Sequence, residues 1–281
     1  MLKHRQSFGQ YSKHNFHIVT TSPWPFFASL GSFFLTLGLV AWMHYFSFAG
    51  WLVIFGLLFI FLIMYVWWRD IVREATYLGF HTSLVQHGLR LGVILFIVSE
   101  VMFFFAFFWA FFHSSLAPNP VIGSVWPPIG LNILNPLHVP LLNTAILLMS
   151  GVTVTLSHYG LCINRPLVAI YSLIVTILLA IEFTALQVLE YFSALFYLAD
   201  GAYGASFYLA TGFHGFHVLV GSTFLFFCLL RMISGHFHES HHLGYEAAIW
   251  YWHFVDVVWL FLFLTIYGWG SGECVSFIIN L

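Results

Sequence analysis

Residues Gly88–Phe112 read GLRLGVILFIVSEVMFFFAFFWAFF. The run has one cation near its start and one carboxylate, Glu100, in its middle; almost everything else is apolar. At 1.5 Å per residue such a helix is about 37 Å long, enough to cross the roughly 30 Å of a bilayer's hydrocarbon. Apolar side chains occur on every face and show no two-residue alternation. This is the pattern of a helix immersed in lipid and not of a barrel strand.

Six further runs have the same character: Trp24–Met43, Phe48–Trp68, Pro140–Ser157, Pro166–Leu189, Gly204–Leu230 and Ala247–Trp269. Pro25, Pro140 and Pro166 sit at the starts of their runs, where a missing N–H costs nothing. The expected fold is all-α: a polytopic membrane protein of seven transmembrane helices, with residues 1–281 as a single transmembrane domain. Short connections imply antiparallel neighbours.

Composition supports this reading. Only 6% of the 281 residues are charged, whereas soluble proteins carry about 25%. Hydrophobic residues make up 61%, which excludes both a water-soluble globule and a disordered chain. The net charge of −2 is uninformative by itself, and no stretch is basic enough for a nucleic-acid partner. Cys162, Cys228 and Cys274 are scattered without a C-x-x-C, so neither a disulfide framework nor a thiolate metal site is expected. No cleavable targeting segment is expected, because the first apolar run is long enough to be a full span.

All eight Lys and Arg residues fall on the N-terminal side of a seven-span chain: Lys3, Arg5, Lys13, Arg69, Arg73, Arg90, Arg165 and Arg231. The positive-inside rule then places the N-terminus on the side of synthesis. The long segment 113–139 lies on the opposite side, uncharged and set by five prolines.

Each titratable group within a span requires explanation, because a charge at mid-membrane costs roughly 2.5–3.5 kcal/mol. Glu100 lies near the middle of its run, and the reading expects it to be protonated or hydrogen-bonded, with His217 as the partner. Two roles stay open for it, a proton carrier or a contact that fixes helix pairing. Asp256 and His253 are spaced i,i+3, so they are read as a pair that satisfies itself. His214 and His217 share that spacing, but no third ligand follows, and structural contacts are expected of them. Most of the sixteen histidines lie near span ends. The group His236, His238, His241 and His242 is read as a hydrated cluster that collects protons. No metal site and no catalytic residue is expected in the chain.

Several stretches resemble subunit III of cytochrome c oxidase: Trp67-Trp68-Arg69-Asp70 with Arg73-Glu74, Leu95 through Val101, and Phe112 through Pro118. Pro140 through Thr144, Thr211 through His217 and Trp250 through Trp259 resemble it too. The resemblance runs from about Ser22 to Gly270. It implies an accessory core subunit of respiratory complex IV, with two helices splayed from a bundle of five around a V-shaped, lipid-filled cleft. It implies partner subunits I and II that hold the haem and copper, other complex IV subunits, bound phospholipids and no cofactor in this chain. Trp68, Arg73, Glu74, His81 and Arg231 would contact lipid head groups. Glu100, with His217 and Asp256 nearby in the membrane, would support proton uptake. The implied location is the mitochondrial inner membrane, N-terminus in the matrix and C-terminus in the intermembrane space; a bacterial plasma membrane is the alternative.

Three departures stand out. Glu182 and Gly268 occupy places the family usually gives to an uncharged residue and to Trp, and the tails are longer than usual. A stand-alone proton-coupled secondary transporter is the competing reading. It would show inverted repeats or interrupted helices at matched positions, and neither is apparent.

Overall fold

The computed structural model describes residues 14–120 and 123–272. Lys3, Arg5, Lys13, His4 and Cys274 lie outside the described residues. The described residues form seven helices long and apolar enough to cross a membrane and no named strand. The chain is an all-α, multi-pass membrane protein.

The helices are α1 (Trp24–Met43), α2 (Ala49–Thr76), α3 (Ser83–Leu116), α4 (Val139–Cys162), α5 (Pro166–Ser193), α6 (Gly201–Ile233) and α7 (Leu243–Leu262). A π-helical segment, Phe263–Trp269, continues α7. Most extend beyond the apolar runs. The hydropathy of α2, for example, falls at Arg69, yet its backbone stays helical for another two turns. Charged residues leave the hydrocarbon without ending the helix, because Arg and Glu are good helix formers.

The chain falls into two compact units that divide between Leu89 and Arg90. In the first, α1 and α2 form an antiparallel hairpin. Tyr45 adopts a left-handed backbone (φ 62°) in the connection, and the Tyr45 and Phe46 N–H groups donate back to Trp42 and Ala41 carbonyls. The helices touch backbone to backbone. A Cβ added at Gly38 would stand 2.8 Å from the Val53 nitrogen, and one at Gly56 would stand 2.6 Å from the Leu35 nitrogen. In lipid, apolar side chains gain little by leaving the lipid tails for one another, so close approach through small residues is the main source of attraction.

The second unit holds the rest of α3 with α4–α7. Its framework is a ladder between α4 and α7. Tyr245 donates its hydroxyl to Ser157, Trp252 donates its indole N–H to Ser150 (2.9 Å), and Trp259 donates to Thr144 (3.0 Å). The donors recur every seven residues along α7. Their acceptors recur every six or seven residues in the opposite direction along α4. This is the near-heptad repeat of two antiparallel helices that keep one seam in contact. Trp252 and Trp259 are fully buried. At the α4–α5 turn Asn164 takes a left-handed conformation (φ 56°), and the Arg165 N–H donates to the Gly160 carbonyl at 2.8 Å, closing the helix end.

Candidate functional site

In the first unit, charged side chains cluster on the last turns of α2. Asp70 is fully engaged. The Trp24 indole N–H donates to Oδ2 at 2.9 Å, and Arg69 donates to Oδ1 through Nε (3.1 Å) and Nη2 (2.9 Å). Arg73 is only loosely tied to it, at 3.8 Å, with a side chain 58% exposed. Trp68 is exposed nearby in sequence, while Glu74 and His81 are half-buried. Glu74 and His81 each place a donor atom within 4.8 Å of the other and of His17. The rim therefore presents an exposed cation and indole beside a carboxylate–imidazole cluster.

The second unit contains the intramembrane groups. Glu100 on α3 meets His217 on α6, with Oε2 and Nε2 2.9 Å apart. His217 Nδ1 lies 2.6 Å from the Phe213 carbonyl oxygen. A carbonyl can only accept, so Nδ1 carries a hydrogen and donates. The Oε2–Nε2 contact needs one more proton, shared between carboxyl and imidazole. The pair is thus net neutral in either arrangement, carboxylic acid with imidazole or carboxylate with imidazolium. This lets a carboxyl group persist in an apolar layer. Phe103, Phe104 and Phe254 surround the imidazole.

His214, one turn earlier, faces a different neighbour. It is 1% exposed, its Nε2 lies 3.2 Å from the Val255 carbonyl, and its ring packs on Trp259 and Phe183. It ties α6 to α7. Asp256 and His253 come together as their spacing suggested, but only as a loose pair. Their closest atoms are 3.7 Å apart, and Asp256 Oδ1 has no hydrogen-bond partner. The half-buried His253 also lies 3.4 Å from the Thr155 hydroxyl, through Nε2.

Two features went unread in the sequence, and a third residue named there has an environment that only the structure gives. Arg90 and Glu246 form a two-pronged ion pair (2.9 and 3.3 Å) between the start of α3 and the first turn of α7. Glu190, placed by hydropathy in a connecting segment, lies inside α5 and is 2% exposed. It accepts from the Tyr267 hydroxyl at 2.6 Å, and Gln187 links it to Asn143. The signal for it was the polar i,i+3 pair Gln187 and Glu190 on one helix face. The third residue is Arg231, on the last turn of α6. Its guanidinium lies 4.4 Å above the Phe237 ring, its Nε has no hydrogen-bond partner, and no carboxylate among the described residues forms a salt bridge with it. Burial, and next the nearby Arg231 guanidinium, hold the His236 imidazole below its ordinary value.

The family model for cytochrome c oxidase subunit III matches residues 14–271. The chain belongs to the cytochrome c oxidase subunit III family. It is 58% identical to "Cytochrome c oxidase subunit 3" of Struthio camelus, over 93% of this chain and 99% of that relative. It is also 58% identical to the protein of that name from Prototheca wickerhamii (92% and 99%) and 57% to that of Papio hamadryas (92% and 98%). Membership of an oxidase complex with further subunits follows from the family. Within this subunit III fold, Glu182 is exposed on α5 and Gly268 is buried in the π-helical segment. Gly215 on α6 has open space where a Cβ would stand.

Proposed function

We propose that the chain is an accessory core subunit of the mitochondrial oxidase, lying against subunits I and II, which hold the haem and copper. It binds anionic phospholipid, supports proton uptake and stabilises the catalytic subunits during electron transfer from cytochrome c to oxygen. The observation that carries the lipid reading is Arg231. A guanidinium held in the protein with an unpaired Nε and, among the described residues, no carboxylate in a salt bridge with it is a place for an anion. A lipid phosphate supplies that anion at a span end. The exposed Arg73 and Trp68, with Glu74 and His81, form a second proposed headgroup site in the first unit.

Glu100 and His217 are the proposed proton-handling pair, since they share one proton in the apolar layer. Asp256, with a free acceptor oxygen, is the proposed auxiliary group. The proposed orientation puts the N-terminus in the matrix and the C-terminus in the intermembrane space, from the distribution of cations.

The test uses the assembled complex. Arg231→Gln should lower the tightly bound anionic phospholipid by one molecule per complex, measured by lipid mass spectrometry. An unchanged lipid content refutes the lipid reading. An apolar carbodiimide should modify Glu100, and Glu100→Gln should abolish that labelling while haem content and electron transfer are retained. Loss of haem in Glu100→Gln would contradict the accessory role.

A further inference from the structure

Two helix ends bring four metal-ligating side chains together, and the subunit III reading uses none of them. His158 and Cys162 lie four residues apart on the last turn of α4. His242 precedes α7 and Glu246 lies four residues later, in its first turn. An i,i+4 pair presents both side chains on one face of a helix. Here the two faces meet. His158 Nε2 and His242 Nε2 are 3.0 Å apart, Cys162 Sγ is 3.7 Å from His158 Nε2, and Glu246 Oε1 is 3.4 Å from His242 Nε2.

We propose that His158, Cys162 and His242, with Glu246 as a fourth oxygen donor, form a binding site for a thiophilic divalent cation of the zinc class. Three arguments support it. The first is spacing. A tetrahedral zinc with nitrogen at about 2.05 Å and sulfur at about 2.3 Å needs N–N and N–S separations of roughly 3.3 and 3.6 Å. The separations from His158 are 3.0 Å to His242 and 3.7 Å to Cys162, each within a few tenths of an ångström of those values. All three lie within 4.8 Å of one another.

The second is the orientation of His242. Its Nδ1 lies 2.8 Å from the His238 carbonyl oxygen and must donate to it. The Nε2 lone pair is therefore fixed toward the other ligands, the arrangement in which an outer hydrogen bond sets the tautomer of a metal-binding imidazole. His242 is buried, so the ring cannot turn away. The third is electrostatic. The site lies at the C-terminal end of α4, where unpaired carbonyls favour a cation, and Glu246 adds a carboxylate oxygen whose other partner is Arg90. On binding, the Cys162 thiol loses its proton to solvent, and His158 carries its ring hydrogen on Nδ1.

Hydropathy hid this site by separating its parts. His242 reads as a member of the loop histidines, while His158 and Cys162 read as the trailing edge of a span. The exposure of Cys162 leaves an entry path on one side.

The experiment uses the intact oxidase complex that contains this chain, first stripped with a chelator. Re-equilibration with low-micromolar zinc should load one more zinc per complex in wild type than in Cys162→Ala. Cys162 is at the surface, so that substitution should be accommodated. In wild type, zinc but not magnesium should slow alkylation of Cys162 by about tenfold, because a ligated thiolate is withdrawn from reaction. His158→Gln should abolish that protection. Equal zinc content in wild type and Cys162→Ala overturns the proposal. So does zinc-independent alkylation of Cys162, which needs no variant to be folded.

Discussion

The α1–α2 hairpin and the α4–α7 pair solve one problem in different ways. In their most apolar windows, 17% of α1 and 22% of α2 residues are buried, against 56% in α7. The hairpin has the higher hydropathy in α2, 2.6 against 1.7 in α7. The more apolar helix is thus the less buried one. In a membrane, hydropathy measures compatibility with lipid, and polar side chains mark where helices meet. The hairpin is joined by backbone contact at Gly38 and Gly56, while the α4–α7 pair is joined by directed hydrogen bonds from large aromatics.

The contrast can be broken most severely in the hairpin. Gly56→Val would drive a side chain into the Leu35 backbone, which cannot yield. The helices must separate, and the expected cost is about 3 kcal/mol, at the upper end of overpacking. Native electrophoresis should show loss of the assembled complex. Assembly at wild-type levels would mean that the glycine contact does not join the hairpin.

A smaller effect is expected in the ladder. Ser150→Ala leaves the Trp252 indole N–H buried without an acceptor, at a cost of about 1–3 kcal/mol. Adding Trp252→Phe removes the orphaned donor and should recover part of that loss, read as thermal release of the subunit in a double-mutant cycle. Equal destabilisation in single and double variants would show that packing, and not the hydrogen bond, holds the rung. Thr176→Val should cost about 0.6 kcal/mol, since the 2.8 Å contact with Thr153 leaves Thr153 able to bond its own helix. The smallest effect is expected at the rim. Arg73→Gln, on an exposed pair 3.8 Å from Asp70, should change thermal stability by less than about 1 kcal/mol.

Much of the fold was legible in the sequence. Seven apolar runs became seven helices, and α1 matches its run at both ends. Elsewhere the runs stop short, because Arg69 or Glu190 lowers hydropathy without ending a helix. The candidate site was less legible. The proximity of Glu100 and His217 followed from the rarity of mid-membrane polar groups. The Arg90–Glu246 pair and the His158–Cys162–His242 group did not, because each depends on which helix ends converge. No spacing along one chain segment encodes convergence between segments 84 or more residues apart.

The ladder's acceptors also bear on biosynthesis. Ser150 and Thr144 give their own hydroxyl hydrogens to Leu147 and Pro140 carbonyls within α4. Those two hydroxyl donors are therefore quenched within the helix before α7 arrives, with lone pairs held in reserve. The indoles of α7 have no such refuge and emerge from the ribosome last of the seven spans. At these two rungs the early helix waits with its acceptors free, and the energetic urgency of docking falls on the late one.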